Sequence, residues 1–501
     1  MKNFMRISDI LLIFSIIFIM SSCETAENGN SKGNINSPDA DISDIAGNEI
    51  DPTAADTEII AILDPPDIEA VDYGGAVATF LERDFSDTYR FKEFGAEEIN
   101  GDVINDAVYA RNLAIEEKYN VKIKAMPSSG DQLNEVQKCV KANDNSISVA
   151  TNGVVYAFAN GLNGYLAKIQ DIPYVDCIKP WWQANSIKDT SIGNVNYFIV
   201  GDMNMAAYTS IGAMYFNKKL IQDYALENPY DLVLGGKWTF GKLLEMAKNV
   251  SSDINGDGMY GEEDSYGLAM LSYGALTFNY GFGVMFATKD KDDMPYLDIN
   301  ESFIAKFQAL VEACNETCVL YADEPRFAAN SGRTRVPETA FRENRLLFHN
   351  ESLTRMDIFR DMETDFGVIP MPKFDESQKD YRSFVHQGVS TTVSIPITAD
   401  LDMMGRILED TAYYSYKHVR PAFMETSLYT KFTRDERSRD MLDIIINSAR
   451  YDIALVSGNP LLDDLRAMLT SLDSGKVAST MESKMALYQK NLDSTVKKIF
   501  S

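Results

Sequence analysis

Between residues 76 and 500, short apolar runs alternate with segments of helical period, and this alternation restricts the chain to an α/β fold. The run at 76–81 reads as a strand, 103–119 as an amphipathic helix and 121–126 as a second strand stopped by Pro127. That order is the start of a parallel βαβ arrangement. A helix at 133–141 and a short strand at 147–151 continue it. Helical period recurs at 218–224, 240–250, 302–314, 337–344, 401–418, 436–449 and 481–500. Strand candidates lie between them at 213–216, 366–369 and 392–395. Thr239, after Trp238, is placed to cap the helix that follows.

The first 22 residues have the layout of a secretory signal peptide. Lys2 and Arg6 precede an apolar run from Ile10 to Met20, and Ser21 and Ser22 then lead to Cys23. The apolar run is shorter than the roughly 20 residues a membrane helix needs. Met20-Ser21-Ser22-Cys23 resembles a bacterial lipobox, with Met where Leu is usual, so Cys23 is expected to be diacylated. Residues 24–69 hold one lysine, Lys32, and no aromatic residue. Such a segment buries too little apolar surface to offset its ordering entropy. It is read as a disordered acidic tether spanning residues 23–68, extended by self-repulsion. The expected location is the outer face of the cell membrane, held by lipid alone.

The formal net charge of −27 disfavours a nucleic-acid partner. Only three histidines occur, His349, His386 and His418, which argues against a histidine-based metal or triad site. Cys139, Cys177, Cys314 and Cys318 are scattered and read as small core thiols rather than zinc ligands. The sharpest local motif runs from Asp253 to Asp264. It follows the EF-hand spacing, with Asp253, Asn255 and Asp257 at positions 1, 3 and 5, Gly258 following Asp257, and the Met259 carbonyl at position 7. Asp264 stands where a bidentate Glu is usual, with Glu263 a possible substitute. Two readings follow: a structural Ca²⁺ site, or an acidic loop of Asx turns without metal.

Several segments in chain order resemble the family 1 extracellular solute-binding proteins. They include Asn105–Asn112 with Ile115–Val121, then Pro180-Trp181-Trp182 with Gly201-Asp202-Met203-Asn204. Tyr215–Leu220, Asn228–Leu232 and Lys237–Phe240 follow, and later Phe366–Lys373 with Asp375–Gln378. The resemblance implies a type II periplasmic-binding-protein fold, with two α/β lobes joined by a hinge of three crossings. It places the crossings near 201–205, 387–395 and 425–432. The first lobe is then 69–203 with 388–427, and the second 204–387 with 428–501. It also implies a monomeric receptor for a small solute, working with ABC permease subunits and without catalysis or a further cofactor.

A sugar site wants flat aromatic faces with carboxylates and amides around them. Position in the implied fold nominates Asp84 and Phe85, Asn152 and Tyr156, and Asp202 and Asn204. In the second lobe it nominates Ser272 and Tyr273, the Phe348-His349-Asn350 run, and Tyr451 with Asp452. Trp181 and Trp182 are adjacent, so in an extended segment they face opposite ways; Trp181 is taken as the candidate ligand contact. Trp238 is assigned to packing. The rival readings are an exported carbohydrate-active enzyme and a clamp-fold sensor or peptide binder. The sequence holds no GxSxG, HExxH or Walker motif to favour the first.

Overall fold

The computed structural model describes residues 63–83, 92–128, 130, 132–324, 327, 332–359, 361–429 and 437–500. The expectations for the signal peptide, for Cys23, and for Asp84 and Phe85 lie outside the described residues.

Two sheets organise the described chain. In the first, β1 (Ala76–Glu82) pairs in parallel with β2 (Val121–Pro127) and β3 (Val149–Ala150), in the order β2-β1-β3. Isolated bridges extend it: Ala150 pairs antiparallel with Ser394, and Val393 antiparallel with Ile199. The 392–395 run therefore joins this sheet through single bridges rather than as a regular strand. The helix Val103–Tyr119 has the limits its periodicity predicts. Asp102 accepts from the Ile104 and Asn105 amides at its start, and Asn120 ends it in the left-handed region.

The second sheet holds β4 (Gly212–Asn217), β5 (Tyr266–Met270), β8 (Val319–Tyr321), β9 (Leu346–Ser352) and β10 (Phe366–Ile369). Its order is β10-β4-β9-β5-β8. β6 (Ala287–Lys289) and β7 (Pro295–Leu297) form a separate hairpin, and β11 (Ser383–Phe384) pairs in parallel with β12 (Ala449–Arg450). β5 pairs in parallel with β8 and β9, whereas β4 runs antiparallel to β9 and β10. The two sheets share one plan: three parallel strands, then an antiparallel segment that has just arrived from the other lobe, then one more strand. β4 arrives from the first lobe, and residues 391–396 arrive from the second. The expected two-lobed α/β architecture is present.

Apolar packing follows the sheets. Ala78, Phe80, Phe94, Ile115, Trp181, Val393, Met404 and Leu408 belong to one buried cluster, which joins β1 to the helices Val103–Tyr119 and Leu401–Tyr414. In the second lobe a Cβ on Gly267 would lie 2.2 Å from the Ala247 Cα, so glycine there lets the helix Phe240–Val250 lie directly on β5. Trp238 is fully buried; its indole N–H donates to the Pro370 carbonyl at 2.9 Å and its ring meets Phe348.

Two expectations are corrected. Residues 63–68, given to the tether by composition, pack on the first lobe: Leu63 and Ile68 lie against its core, and Tyr413 donates to the Leu63 carbonyl. Their apolar side chains outweigh the acidic neighbours that set the compositional reading. Pro337, expected at a helix start, lies inside the helix Gly332–Arg342.

Candidate functional site

The two fully described crossings run side by side. In the first, Asn204 Oδ1 accepts from the Gly201 amide at 3.0 Å and so closes the turn before the short helix Met205–Thr209. In the second, the His386 amide donates to the Ser210 carbonyl at 2.8 Å, and Ile211 bridges to Val385. The Thr392 amide then donates to the Asn152 carbonyl. Arg83 reaches the Gly388 carbonyl at 2.7 Å and the Val389 carbonyl at 3.3 Å. Phe423, ahead of the expected third crossing, packs on Tyr208; that crossing lies partly outside the described residues.

Polar side chains gather at this junction. Glu93 is buried; its Oε1 accepts from the Ala206 amide at 3.0 Å and from the Thr391 hydroxyl at 2.7 Å. Burial pushes its carboxyl up to about 7, against the pull of those two donors. Asp202 is raised by burial, while the Arg420 guanidinium, with Nη1 at 3.5 Å, and the Tyr208 hydroxyl act the other way. The Arg420 guanidinium also lies over the rings of Tyr208 and Tyr416.

Several buried polar atoms here make no hydrogen bond of good geometry: both side-chain heteroatoms of Asn152, Oε1 of Gln387, Nδ2 of Asn204 and Oε2 of Glu93, which lie close enough to act on each other, and Oγ of Ser390, which acts on the Tyr451 hydroxyl. Folded proteins leave few such atoms, because each costs about 1–3 kcal/mol. Their concentration where the crossings meet marks a place built to hydrogen-bond something else.

Of the nominated residues, Asn152, Asp202, Asn204, Tyr156 and Tyr273 come to this junction. Tyr156 is exposed beside Gly153, which also faces Arg83 and the Gly388 carbonyl. Tyr273 lies with its ring 4.5 Å from that of His386. Ser272 begins the helix Ser272–Gly281.

Four nominations are corrected to packing roles. Trp181 is 1% exposed, and both it and Trp182 donate their indole N–H to Glu409, at 3.0 and 2.9 Å. Trp181 contacts Tyr413 and borders a separate cavity of about 710 Å³ beneath residues 63–68. His349 lies against Phe341 and Phe359 inside the second lobe, where burial lowers its pKa to about 3. Asn350 faces the other side of β9 and donates to Thr277 at 3.1 Å. Tyr451 is fully buried and donates to Gln183 Oε1 at 3.2 Å, joining the lobes. Its neighbour Asp452 caps the helix Ile453–Val456 and accepts from the Phe286 amide.

Sequence reasoning missed Glu93, Thr391, Gln387, Arg420 and Tyr208. A signal existed for Glu93, an acid set between Lys92 and Phe94 in an aromatic-rich stretch that has to bury its rings. Arg420 and Gln387 carry no local signal, because their neighbours at the junction come from distant parts of the chain.

The 253–264 loop is a closed set of Asx turns. Asp253 accepts from the Gly256 and Gly258 amides, Asn255 from Asp257, and Asp257 from Met259. Asp264 is buried and accepts from Ile254 and Gly261. Among the described residues, no group of three or more His, Cys, Asp and Glu side chains converges as a metal site. The three carboxylates of the motif, Asp253, Asp257 and Asp264, therefore do not converge on one point in this structure.

No family model and no curated relative matches the chain. Solved structures do. A cyclo/maltodextrin-binding protein complexed with maltotetraose aligns with a TM-score of 0.54 at 12% identity, covering 85% of this chain and 97% of its own. UspC of M. tuberculosis aligns at 0.53 and 12%, covering 84% and 100%. An ABC transporter solute-binding protein from Thermotoga lettingae, bound with α-D-tagatose, aligns at 0.51 and 12%, covering 84% and 100%. At these identities the likeness is one of fold, and it extends over nearly the whole of each of those chains.

Proposed function

We propose that this protein, which has the two-lobed periplasmic-binding-protein fold, is a non-catalytic receptor for a neutral mono- or oligosaccharide. On this reading it is held outside the cell membrane by a lipid on Cys23 and hands its solute to an ABC permease. The observation that carries the reading is the set of under-bonded amide and hydroxyl groups at the crossings, Asn152 and Gln387 above all, with Asn204 and Ser390 beside them. Such atoms suit a ligand rich in hydroxyls. Tyr156 and Tyr273 add aromatic surface for sugar C–H faces. The ionised groups found there include a matched pair, Asp202 and Arg420, which favours a neutral solute. Support from the comparisons is that solved proteins of this fold are described with maltotetraose and tagatose bound.

The test combines location and binding. The Cys23→Ala protein is expected in the medium rather than in the membrane fraction, and the released protein is expected to bind a sugar from a calorimetric panel and return it unchanged. Tyr273→Ala is expected to weaken that binding by tenfold or more, a loss of about 1.4 kcal/mol. Trp238→Phe, a change in packing, is expected to leave it within about twofold. Binding of a peptide in place of any sugar would overturn the substrate class, and turnover of the sugar would overturn the receptor reading.

For the 253–264 loop we propose structural Ca²⁺. The supporting features are the oxygen spacing and the backbone amides that already orient Asp253, Asn255 and Asp257. Asp264 and the Met259 carbonyl complete the candidate set. A carboxylate oxygen that accepts one N–H keeps a second lone pair. Chelation is expected to lower the melting temperature, since an ion bound only by the folded state stabilises it by mass action. The Asp253→Ala, Asp257→Ala protein is expected to melt alike with calcium or chelator. A wild-type melting curve indifferent to both would remove the site.

A further inference from the structure

We propose that Arg83 is a positioning residue of the solute site. It staples the 152–153 loop of the first lobe to the 387–389 turn of the second crossing, and so sets the spacing of the Asn152 and Gln387 side-chain amides and selects the solute that spans them. The inference rests on the proposed receptor reading.

Both side-chain heteroatoms of Asn152 and Oε1 of Gln387 lack hydrogen-bond partners, and each of these residues is followed by a glycine. The Arg83 guanidinium lies against both glycines. Its Nη2 donates to the Gly388 carbonyl at 2.7 Å, and its Nη1 to the Val389 carbonyl at 3.3 Å. A Cβ built on Gly153 would stand 2.8 Å from the same Nη2 and 3.2 Å from the Gly388 carbonyl oxygen. Gly153 has φ −58° and ψ 146°, a conformation open to any residue. Its backbone therefore does not call for glycine; the guanidinium does.

Arg83 is itself held. It directly follows β1, and its Nε donates to Oε1 of the buried Gln132 at 3.2 Å, at the start of the helix Gln132–Lys141. The turn it grips is closed by the Val389 and Ser390 amides, which both donate to the His386 carbonyl at 2.9 Å. Beyond the turn, the Thr392 amide and hydroxyl donate to the Asn152 carbonyl at 2.9 and 3.0 Å, and Gly153 bridges to Thr391. The main chains of the two amide-bearing segments are thus fixed twice, by pairing at Thr391 and Thr392 and by Arg83 at Gly388 and Val389. A guanidinium suits this task because its planar fork carries several donors in fixed directions, whereas an ammonium is a point charge.

Aromatic surface borders the staple on both sides. The Tyr156 ring would lie 3.4 Å from a Cβ on Gly153, and the Tyr273 ring meets His386, the residue before Gln387. A sugar stacked on either ring would offer its hydroxyls to amides whose separation Arg83 fixes.

Hydrogen exchange on the solute-free protein tests the staple, and calorimetry tests its consequence. In Arg83→Ala, protection of the Val389, Ser390 and Thr392 amides is expected to fall tenfold or more. Millimolar guanidinium ion is expected to restore it, and equal sodium or methylammonium is not. Gly153→Ala displaces the guanidinium without removing it, so it is expected to lower the same protections and not to respond to added guanidinium; this variant serves if Arg83→Ala does not fold. Unchanged protection in these variants, or equal rescue of Arg83→Ala by sodium, would overturn the proposal. The solute probes are maltotetraose and tagatose, the sugars described with two proteins of this fold. Arg83→Ala is expected to bind whichever of them the wild type binds at least tenfold more weakly, with the loss recovered by guanidinium ion. Equal affinity would overturn the positioning role. Failure of the wild type to bind any sugar would fall on the sugar reading, and the exchange result, in which no solute takes part, would still decide the staple.

Discussion

The protein is expected to be more stable at pH 6 than at pH 8, by about 2 kcal/mol. Three fully or nearly fully buried carboxyls set the direction. Burial raises Glu93 and Glu409 from 4.5, and Asp452 from 3.8, to about 7 in each case. In each, the hydrogen bonds that favour the ionised form fall short of the desolvation penalty. A carboxyl raised on folding contributes stability that is complete below its unfolded pKa and is lost as pH rises through the folded value. The window for that loss is therefore about 4 to 7, with the plateau reached by 8.

Buried histidines oppose this at the acid end. His349 is lowered by burial to about 3, and His386 is also lowered. Both must stay neutral to remain buried, so their contribution is lost as pH falls below 6.5. The three carboxyls outnumber the two histidines, which leaves a maximum on the acid side of neutrality. The net charge of −27 acts in the same direction, since partial protonation relieves self-repulsion. Thermal unfolding between pH 5 and 8 checks the profile. In Glu93→Gln combined with Asp452→Asn the decline from pH 6 to pH 8 is expected to shrink by more than half. A wild-type melting temperature that rises steadily to pH 8 would contradict the burial argument.

The fold was legible in the sequence where local chemistry and tertiary packing agree. The helix Val103–Tyr119 has a capping Asp102, a left-handed Asn120 and no glycine or proline between them, and its limits were read without error. The run at 392–395 has the β-branched composition of a strand, yet it enters the first sheet through single bridges. Composition does not reveal how many partners a strand will have. Asp202 and Asn204 come to the junction, as position in the implied fold suggested, because they stand at the turn where the chain leaves the first lobe.

The errors have a common cause. Trp181 and His349 have the chemistry of ligand contacts, but burial decides their role. Trp181 meets Glu409 from 228 positions along the chain, and no local pattern reveals that encounter. His349 alternates correctly along β9 but points into the lobe. Glu93 was missed for the converse reason: the two donors that give it meaning, Ala206 and Thr391, lie 113 and 298 positions away.

Arg450→Ala is expected to destabilise the protein by about 3 kcal/mol or more, the cost of breaking one side of a buried ion pair. Arg450, on β12 of the second lobe, donates from Nε to Asp189 Oδ2 at 2.8 Å and from Nη2 to Oδ1 at 2.7 Å. Asp189 stands on the helix Ala184–Thr190 of the first lobe and is 4% exposed at its side chain. The pairing is bidentate, the geometry in which an arginine gains most from a carboxylate. It is also reinforced. The Tyr451 amide donates to the same carboxylate at 3.0 Å, and Asn185 donates to the Ala449 carbonyl at 3.0 Å. Near by, Lys289 of β6 reaches the Lys188 carbonyl and the Ser191 hydroxyl of the first lobe.

Removing Arg450 leaves the Asp189 carboxylate buried with one backbone donor. Removing both side chains leaves no stranded charge, so the double Asp189→Ala, Arg450→Ala protein is expected to lose less than the sum of the single losses. The difference is expected at about 1–3 kcal/mol, the range for residues in direct contact. Denaturant unfolding of the four proteins measures it. Strictly additive losses would mean that solvent already screens the pair and that the lobes are held by the apolar and backbone contacts around it. A coupled result would make this ion pair a principal tie between lobes whose crossings, at Asn204 and Thr391, lie elsewhere in the interface.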